Sequence, residues 1–205
     1  GEALLRAVGP GGRDRRVHVS RVTSDPAVAE DWFSAFEGAG LDGVVGTGDV
    51  NVDAAVMAFT GDGGTSQGDF NEALVFAAVT NAPVVFFVQN NQWAISEPND
   101  KQFIIPPYQR ARGFGFPGVL VDGNDPLATY AVAKDALDKA RSGQGPTLIE
   151  AYTYRMGAHT TTDDPTRYRT AQTDEYWAGL DPIVRMQKYL RSRELINDAW
   201  LAELD

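Results

Sequence analysis

The sequence contains no cysteine, so disulfide bridges, thiolate nucleophiles and cysteine-ligated metal centres are excluded. Histidine is nearly absent as well, and any imidazole chemistry falls to His18 or His159. Basic residues are few: 18 lysines and arginines stand against 28 acids, a formal charge of -10. That balance argues against nucleic acid as a general partner, because binding a phosphate backbone rewards clustered Lys and Arg. No apolar run approaches the roughly 20 residues that a membrane-spanning helix needs, and the first residues carry no secretory signal pattern. No membrane partner is expected, and a reducing cytoplasm fits. No Gly-x-x-x-x-Gly-Lys loop occurs, which leaves a phosphate-binding receiver or nucleotide-binding domain poorly supported. No internal repeat and no low-complexity tract is present.

What remains is the composition of an ordinary globular protein, 43% hydrophobic, in a chain of 205 residues. That length suits one sizeable domain and is marginal for two. Residues 1–50 read as an atypical head. "VGPGGRDRR" suits a loop and "VHVSRV" alternates as a half-buried strand does; "SDPAVAEDWFSAFEGAG" is a helix started by Asp25 and Pro26 and stopped by Gly38 and Gly40. "LDGVVGTGDVNVD" is too rich in Gly and Asp to form one regular element. Residues 51–205 are regular. "AAVMAFT", "PVVFFVQ", "GVLVDGND" and "PTLIEAYTYR" are short apolar runs suited to strands buried on both faces. Between them "DFNEALVFAAVTN" spaces Phe70, Leu74, Ala77 and Ala78 as a helix does, "YQRARGFG" forms a short helix, and Asp125-Pro126 starts a long one that Gly143 ends. "MGAHTTTDDPTRYRT" reads as a polar loop, with closing helices over "DPIVRMQKYLRS" and "ELINDAWLAEL". Strands alternating with helices predict an α/β fold: a mainly parallel sheet with helices on both faces.

In such a sheet, ligands sit beyond the carboxyl ends of the strands. Gly61-Asp62-Gly63-Gly64 stands at one such end and Asn90-Asn91 at another. Each motif alone is ordinarily just a turn. On neighbouring strands, however, Asp62 and Asn91 would face one crevice. A single carboxylate and an amide oxygen suit a hard cation such as Mg²⁺ that shares phosphate oxygens with a cofactor. The glycines let backbone N–H groups approach those oxygens, and the following helix adds its N-terminal dipole. Together the two turns read as a Mg²⁺–diphosphate site.

His159 lies beyond the last strand with Asp163, Asp164, Arg155, Arg167 and Arg169 around it in sequence. A lone loop histidine is usually only solvated. A loop with this many opposite charges orders itself when its ion pairs form, often around a ligand, and proton transfer near neutral pH suits imidazole. His18, on an alternating strand, carries no functional reading.

Gly-Asp-Gly followed by Asn-Asn after a helix and a strand resembles the thiamine-diphosphate motif. More narrowly, "GDGGTSQGDFNEALVFAA", "VVFFVQNNQWAIS", "RARGFGFPGVLVDGNDPLATYAV", "GPTLIEAYTYRMGAHTTTDDPTRYR" and "DPIVRMQKYL" resemble the E1 alpha subunit of 2-oxo acid dehydrogenase complexes, of pyruvate or branched-chain type. The resemblance covers about residues 54–205. It implies the thiamine-diphosphate-binding fold, with thiamine diphosphate and Mg²⁺ as cofactors. It further implies Asp62, Asn91 and the Trp93 backbone carbonyl as metal ligands, Gly63 and Gly64 as diphosphate-binding N–H groups, and His159 as the catalytic histidine at the cofactor. The implied activity is oxidative decarboxylation of a small 2-oxo acid with acyl transfer to lipoamide. The implied partners are an E1 beta subunit, in a heterotetramer, and the lipoyl domain of the E2 acyltransferase.

The family's longer N-terminal part, with its Tyr-Arg pair reaching the diphosphate, is not recognisable before Ala54. "VHVSRVTSDPAVAEDWFSAFEGAGLDGVV" (Val17 to Val45) instead resembles a fragment of the adenylation domain of ATP-dependent DNA ligases. None of the lysines (Lys101, Lys134, Lys139, Lys188) stands in that family's Lys-x-Asp-Gly motif, so ligase activity is not expected. A fusion of two partial sequences is one reading of the head. A non-catalytic cofactor-binding or interaction fragment is the alternative to an active alpha chain.

Overall fold

Apolar runs too short for helices build the centre of the molecule. The computed structural model describes residues 54–203, and before them only the backbone of β1 (Arg6–Val8), β2 (Asp14–Arg16) and β3 (Val19–Arg21). The strands that follow are β4 (Val56–Gly61), β5 (Val84–Asn90), β6 (Trp93–Ala94), β7 (Glu97–Pro98), β8 (Gly118–Asp122) and β9 (Thr147–Tyr152). Five of them form one sheet in the order β3-β4-β5-β9-β8, and every pairing in it is parallel. β1 and β2 pair antiparallel, as do β6 and β7. The helix read over "SDPAVAEDWFSAFEGAG" and the ligase-like stretch beyond Arg21 lie outside the described residues.

Both faces of the sheet are covered, which is why its central strands are apolar throughout rather than alternating. The helices are α1 (Gly68–Val79), α2 (Asn99–Gln102), α3 (Pro107–Gly113), α4 (Pro126–Arg141), α5 (Ala171–Ala178), α6 (Pro182–Ser192) and α7 (Asp198–Ala202). α1 and α3 place Phe70, Leu74, Ala77 and Ala111 against Val56, Ala58, Phe86, Val88 and Leu148. α4 places Ala136 and Ala140 against Met57, Val85, Phe87 and Ile149 on the opposite face. Asp125 starts α4 by accepting from the Leu127 and Ala128 N–H groups. At its other end Lys139 donates to the Pro146 carbonyl and the Thr147 hydroxyl, fixing the entry into β9.

The structure differs from the sequence reading in the stretch Asn90–Gln102, read as a polar loop but carrying β6, β7 and α2, and in its closing helices. α5 occupies a stretch read as neither loop nor helix: Thr170 caps it, and its Trp177 ring stacks on Tyr154 at 5.4 Å. The last helix is shorter than read, because Glu194 takes a positive φ of 57° and Asn197 starts a new turn by accepting from the Trp200 N–H.

α3 approaches the sheet very closely. A Cβ on Gly118 would stand 1.7 Å from the Tyr108 carbonyl oxygen, so only glycine lets this helix sit against the start of β8. Gly118→Ala should displace α3 and lower stability by about 1–3 kcal/mol, as other overpacked sites do. Chemical denaturation reads this directly, and an unchanged midpoint would mean that α3 is not seated as described.

Candidate functional site

β4 and β5 are neighbours in register, with Gly61 opposite Gln89, so the residues that follow them emerge side by side. Asp62 follows β4 and Asn91 follows β5. The Asn91 N–H donates to Asp62 Oδ1 at 3.2 Å, across 29 positions of sequence. Asp62 is 1% exposed. Its Oδ2 accepts from the side-chain amides of Asn99 at 2.9 Å and Gln102 at 2.8 Å, both on α2. These donors are all neutral, and among the described residues no cationic side chain forms an ion pair with Asp62. Three neutral donors satisfy these oxygens while no cation among the described residues balances their charge, which leaves the carboxylate suited to hold a metal ion.

The turn after Asp62 is tight. Gly63–Ser66 forms one 3₁₀ turn in which Thr65 donates twice to the Asp62 carbonyl, from N at 3.1 Å and from Oγ1 at 2.7 Å. A Cβ on Gly63 would meet Ala94 Cβ at 2.8 Å, and one on Gly64 would meet Thr60 Oγ1 at 2.3 Å. Both glycines therefore sit where backbone, and only backbone, fits. They open the turn, where N–H groups have no carbonyl one turn earlier to receive them.

The Asn90–Ser96 segment is strained and fastened at several points. Gln92 and Ile95 take positive φ values of 72° and 57°, the second being costly for a β-branched residue. Gln92 is held by its N–H to Asn90 Oδ1 at 2.9 Å and its side chain to the Thr153 carbonyl at 2.7 Å. Asn91 Oδ1 accepts from the Trp93 N–H at 3.1 Å, and the Ile95 carbonyl accepts from Arg155 at 2.6 Å. The result brings the Asp62 carboxylate, the Asn91 side chain and the Trp93 segment into one hydrogen-bonded group. Among the described residues no three of His, Asp and Glu gather as a metal centre. The oxygens offered here are a carboxylate, an amide and a main-chain carbonyl.

Two charged residues that the sequence reading did not assign complete the surroundings. The Arg110 guanidinium lies over the Phe70 ring at 5.6 Å and the Phe103 ring at 5.8 Å, and its Nη1 donates to the Thr65 carbonyl at 3.0 Å. Its Nε and Nη2 are buried and have no partner among the described residues. Burial pulls its proton affinity down, and the nearby Glu150 charge pulls it back up. Glu150, 1% exposed on β9, accepts from Asn90 Nδ2 at 2.6 Å and from the Tyr108 N–H at 2.9 Å. Desolvation raises its pKa above the ordinary carboxylate range; the two hydrogen bonds and Arg110 oppose that rise, and the Asp62 charge adds to it. Because the folded-state value lies above the unfolded one, its ionisation costs stability as pH rises through that interval, and the cost disappears in acid. A charge inside an otherwise apolar strand is the signal that could have found Glu150. Arg110 offered no comparable signal.

The sequence profile of the dehydrogenase E1 component matches residues 22–205. The chain belongs to that family. It is 57% identical over 144 residues to the 3-methyl-2-oxobutanoate dehydrogenase subunit alpha of Mycobacterium tuberculosis (strain H37Rv), covering 70% of this chain and 39% of that protein. It is 50% identical over 147 residues to the pyruvate dehydrogenase E1 component subunit alpha of Staphylococcus aureus (strain N315), covering 71% of this chain and 40% of that protein. The chain thus spans about two fifths of the length of these relatives. The family match begins at residue 22, inside the stretch that resembles a ligase fragment.

In this E1-family chain the His159 loop is tied to the Trp93 turn. Arg155 donates to the Tyr168 hydroxyl at 2.8 Å and to the Trp93 carbonyl at 3.4 Å, and it pairs with Asp163 at 3.8 Å. Asp163 accepts from the Tyr168 hydroxyl at 2.5 Å and from the His159 N–H at 2.8 Å. Those bonds, the hydroxyl first, hold its carboxyl below the usual carboxylate range. Tyr168 packs tilted against Trp93 at 5.0 Å, and Arg169 closes the loop's base by donating to the Arg155 and Met156 carbonyls. The His159 imidazole itself is exposed and makes no hydrogen bond among the described residues; its ring is not joined to Asp62 or Asn91. Asp163→Asn keeps the size of the side chain and removes the ion pair. It should speed proteolytic cleavage within residues 156–170, and cleavage at the parent rate would mean that the loop is held by other contacts. Among the described residues no helix is long and apolar enough to cross a membrane.

Proposed function

We propose that this chain binds Mg²⁺ and thiamine diphosphate as the alpha chain of a 2-oxo acid dehydrogenase E1 component. In this reading Asp62, Asn91 Oδ1 and the Trp93 carbonyl hold the metal. Gly63 and Gly64 N–H groups and the open nitrogens of Arg110 receive the diphosphate. The observation that carries it is the pairing of opposite needs: among the described residues, a buried carboxylate met only by neutral amides stands one turn away from a guanidinium with two buried, unpartnered nitrogens. A metal-bound diphosphate satisfies both, since it brings a cation to one and an anion to the other.

The cofactor supplies the electron sink that decarboxylation of a 2-oxo acid needs. The chain's own part is to position and to exclude. The strained Asn90–Ser96 turn fixes the ligand oxygens, the aromatic pair Trp93–Tyr168 shields one side, and the tethered loop carries His159, whose imidazole is suited to move a proton near neutral pH. An E1 beta subunit and the lipoyl domain of an E2 acyltransferase complete the reaction. Residues 51–205 form the cofactor-binding unit, and residues 1–50 an atypical head from which β3 joins the sheet beside β4. The substrates named for the two relatives, 3-methyl-2-oxobutanoate and pyruvate, are the ones to compare.

The test is reconstitution: the chain with a beta subunit and a lipoyl domain, followed for lipoyl acylation from each 2-oxo acid. Magnesium- and thiamine-diphosphate-dependent acylation is expected. Cofactor binding with no turnover in any pairing would replace this reading by that of a non-catalytic cofactor-binding fragment.

A further inference from the structure

A carboxylate buried in the middle of a parallel sheet is costly, and Glu150 bears that cost with two neutral donors and no ion pair among the described residues. It stands opposite Val88 on β5 and Leu120 on β8, directly beneath the site. Its two donors belong to opposite walls. Asn90 immediately precedes Asn91 and also receives the Gln92 N–H at 2.9 Å, so the bond to Glu150 Oε1 fixes the turn that sets Asn91 beside Asp62. Tyr108 lies in the first turn of α3, so the bond to Oε2 fixes the helix from which Arg110 reaches the Thr65 carbonyl.

We propose that Glu150 is a positioning residue: it sets the separation between the oxygens of Asp62 and Asn91 and the Arg110 guanidinium, and so matches the site to a metal-bound diphosphate. The inference rests on the function proposed above. The chemistry suits a carboxyl group, which offers an acceptor oxygen to each of the two donors. A glutamine offers one oxygen and one NH₂, and can satisfy Asn90 or Tyr108 but not both. An aspartate is one methylene shorter and cannot span both donors.

Glu150→Gln in the full chain separates this role from ordinary packing. Titration calorimetry with Mg²⁺–thiamine diphosphate and with Mg²⁺–pyrophosphate should show both affinities weakened about 10- to 100-fold, the usual effect of losing a group that orients metal ligands. The unfolding midpoint should fall far less than the affinity does, because removing the buried charge offsets the one donor left unpaired. Asn90→Ala should weaken the same two probes, and the double variant should lose less than the two single losses combined, as residues acting through one contact do. Parent-like affinity in Glu150→Gln, or an affinity loss matched by an equal loss of stability, overturns the inference. Should Glu150→Gln fail to fold, Asn90→Ala alone decides: parent-like affinity there overturns it equally. A parent chain that binds neither probe, or binds them independently of Asp62, would instead sink the proposed function and this inference with it.

Discussion

Asp62→Asn should weaken magnesium-dependent binding of thiamine diphosphate by more than about 100-fold, or ~2.7 kcal/mol. The substitution keeps the shape of the side chain and removes the charge that balances the metal, leaving only neutral oxygens as ligands. It also turns an NH₂ group toward the Asn99 and Gln102 amides, which already donate to Oδ2. That donor-to-donor arrangement costs about 1–3 kcal/mol of stability, so the folded fraction has to be measured beside the affinity. Calorimetric titration with and without Mg²⁺ distinguishes the effects. In the parent the affinity should rise with the metal, and in the variant it should not. A variant that keeps the parent's magnesium dependence would remove Asp62 from the metal site.

His159→Asn should lower turnover in the reconstituted complex by about 10²–10⁴-fold, the usual contribution of a positioned acid–base group. Its effect on cofactor affinity should be much smaller. The imidazole is exposed and makes no hydrogen bond to the Asp62–Asn91 cluster, while the loop that carries it is held by Asp163, Tyr168 and Arg155 through bonds that the substitution leaves in place. Turnover and affinity should therefore separate. If both fall together, His159 is a binding group and not the proton carrier; if neither falls, the loop carries the family's pattern without its chemistry.

The contrast between Asp62 and Arg110 shows what a sequence can disclose. Buried parallel strands announce themselves as unbroken apolar runs, and a Gly-Asp-Gly and an Asn-Asn interrupting two such runs mark their carboxyl ends. One assumption, that β4 and β5 are neighbours, then brings Asp62 to Asn91, and the register of those strands makes it true. Arg110 lacks any such marker. It sits beside Arg112 in a seven-residue helix, and only the packing of α3 against β8 at Gly118 turns it toward Phe70 and Phe103 rather than toward water. α5 was hidden for a related reason: Trp177 docks on Tyr152 and Tyr154 across a stretch of polar loop that has no periodicity to read. The positive φ of Ile95 contradicts local preference altogether and exists because Arg155, sixty positions away, holds its carbonyl. Tertiary contacts decided each of these.

The measurement closest to the central claim is the thermal midpoint of the chain with Mg²⁺, with thiamine diphosphate, and with both. A ligand that binds only the folded state raises stability by about 2.7 kcal/mol at 100 times its dissociation constant. The account predicts a clear upward shift with both present and little shift with either alone, because the Asp62 oxygens need the metal and the diphosphate reaches them through it. A shift of the same size without Mg²⁺, or none with both, would contradict it.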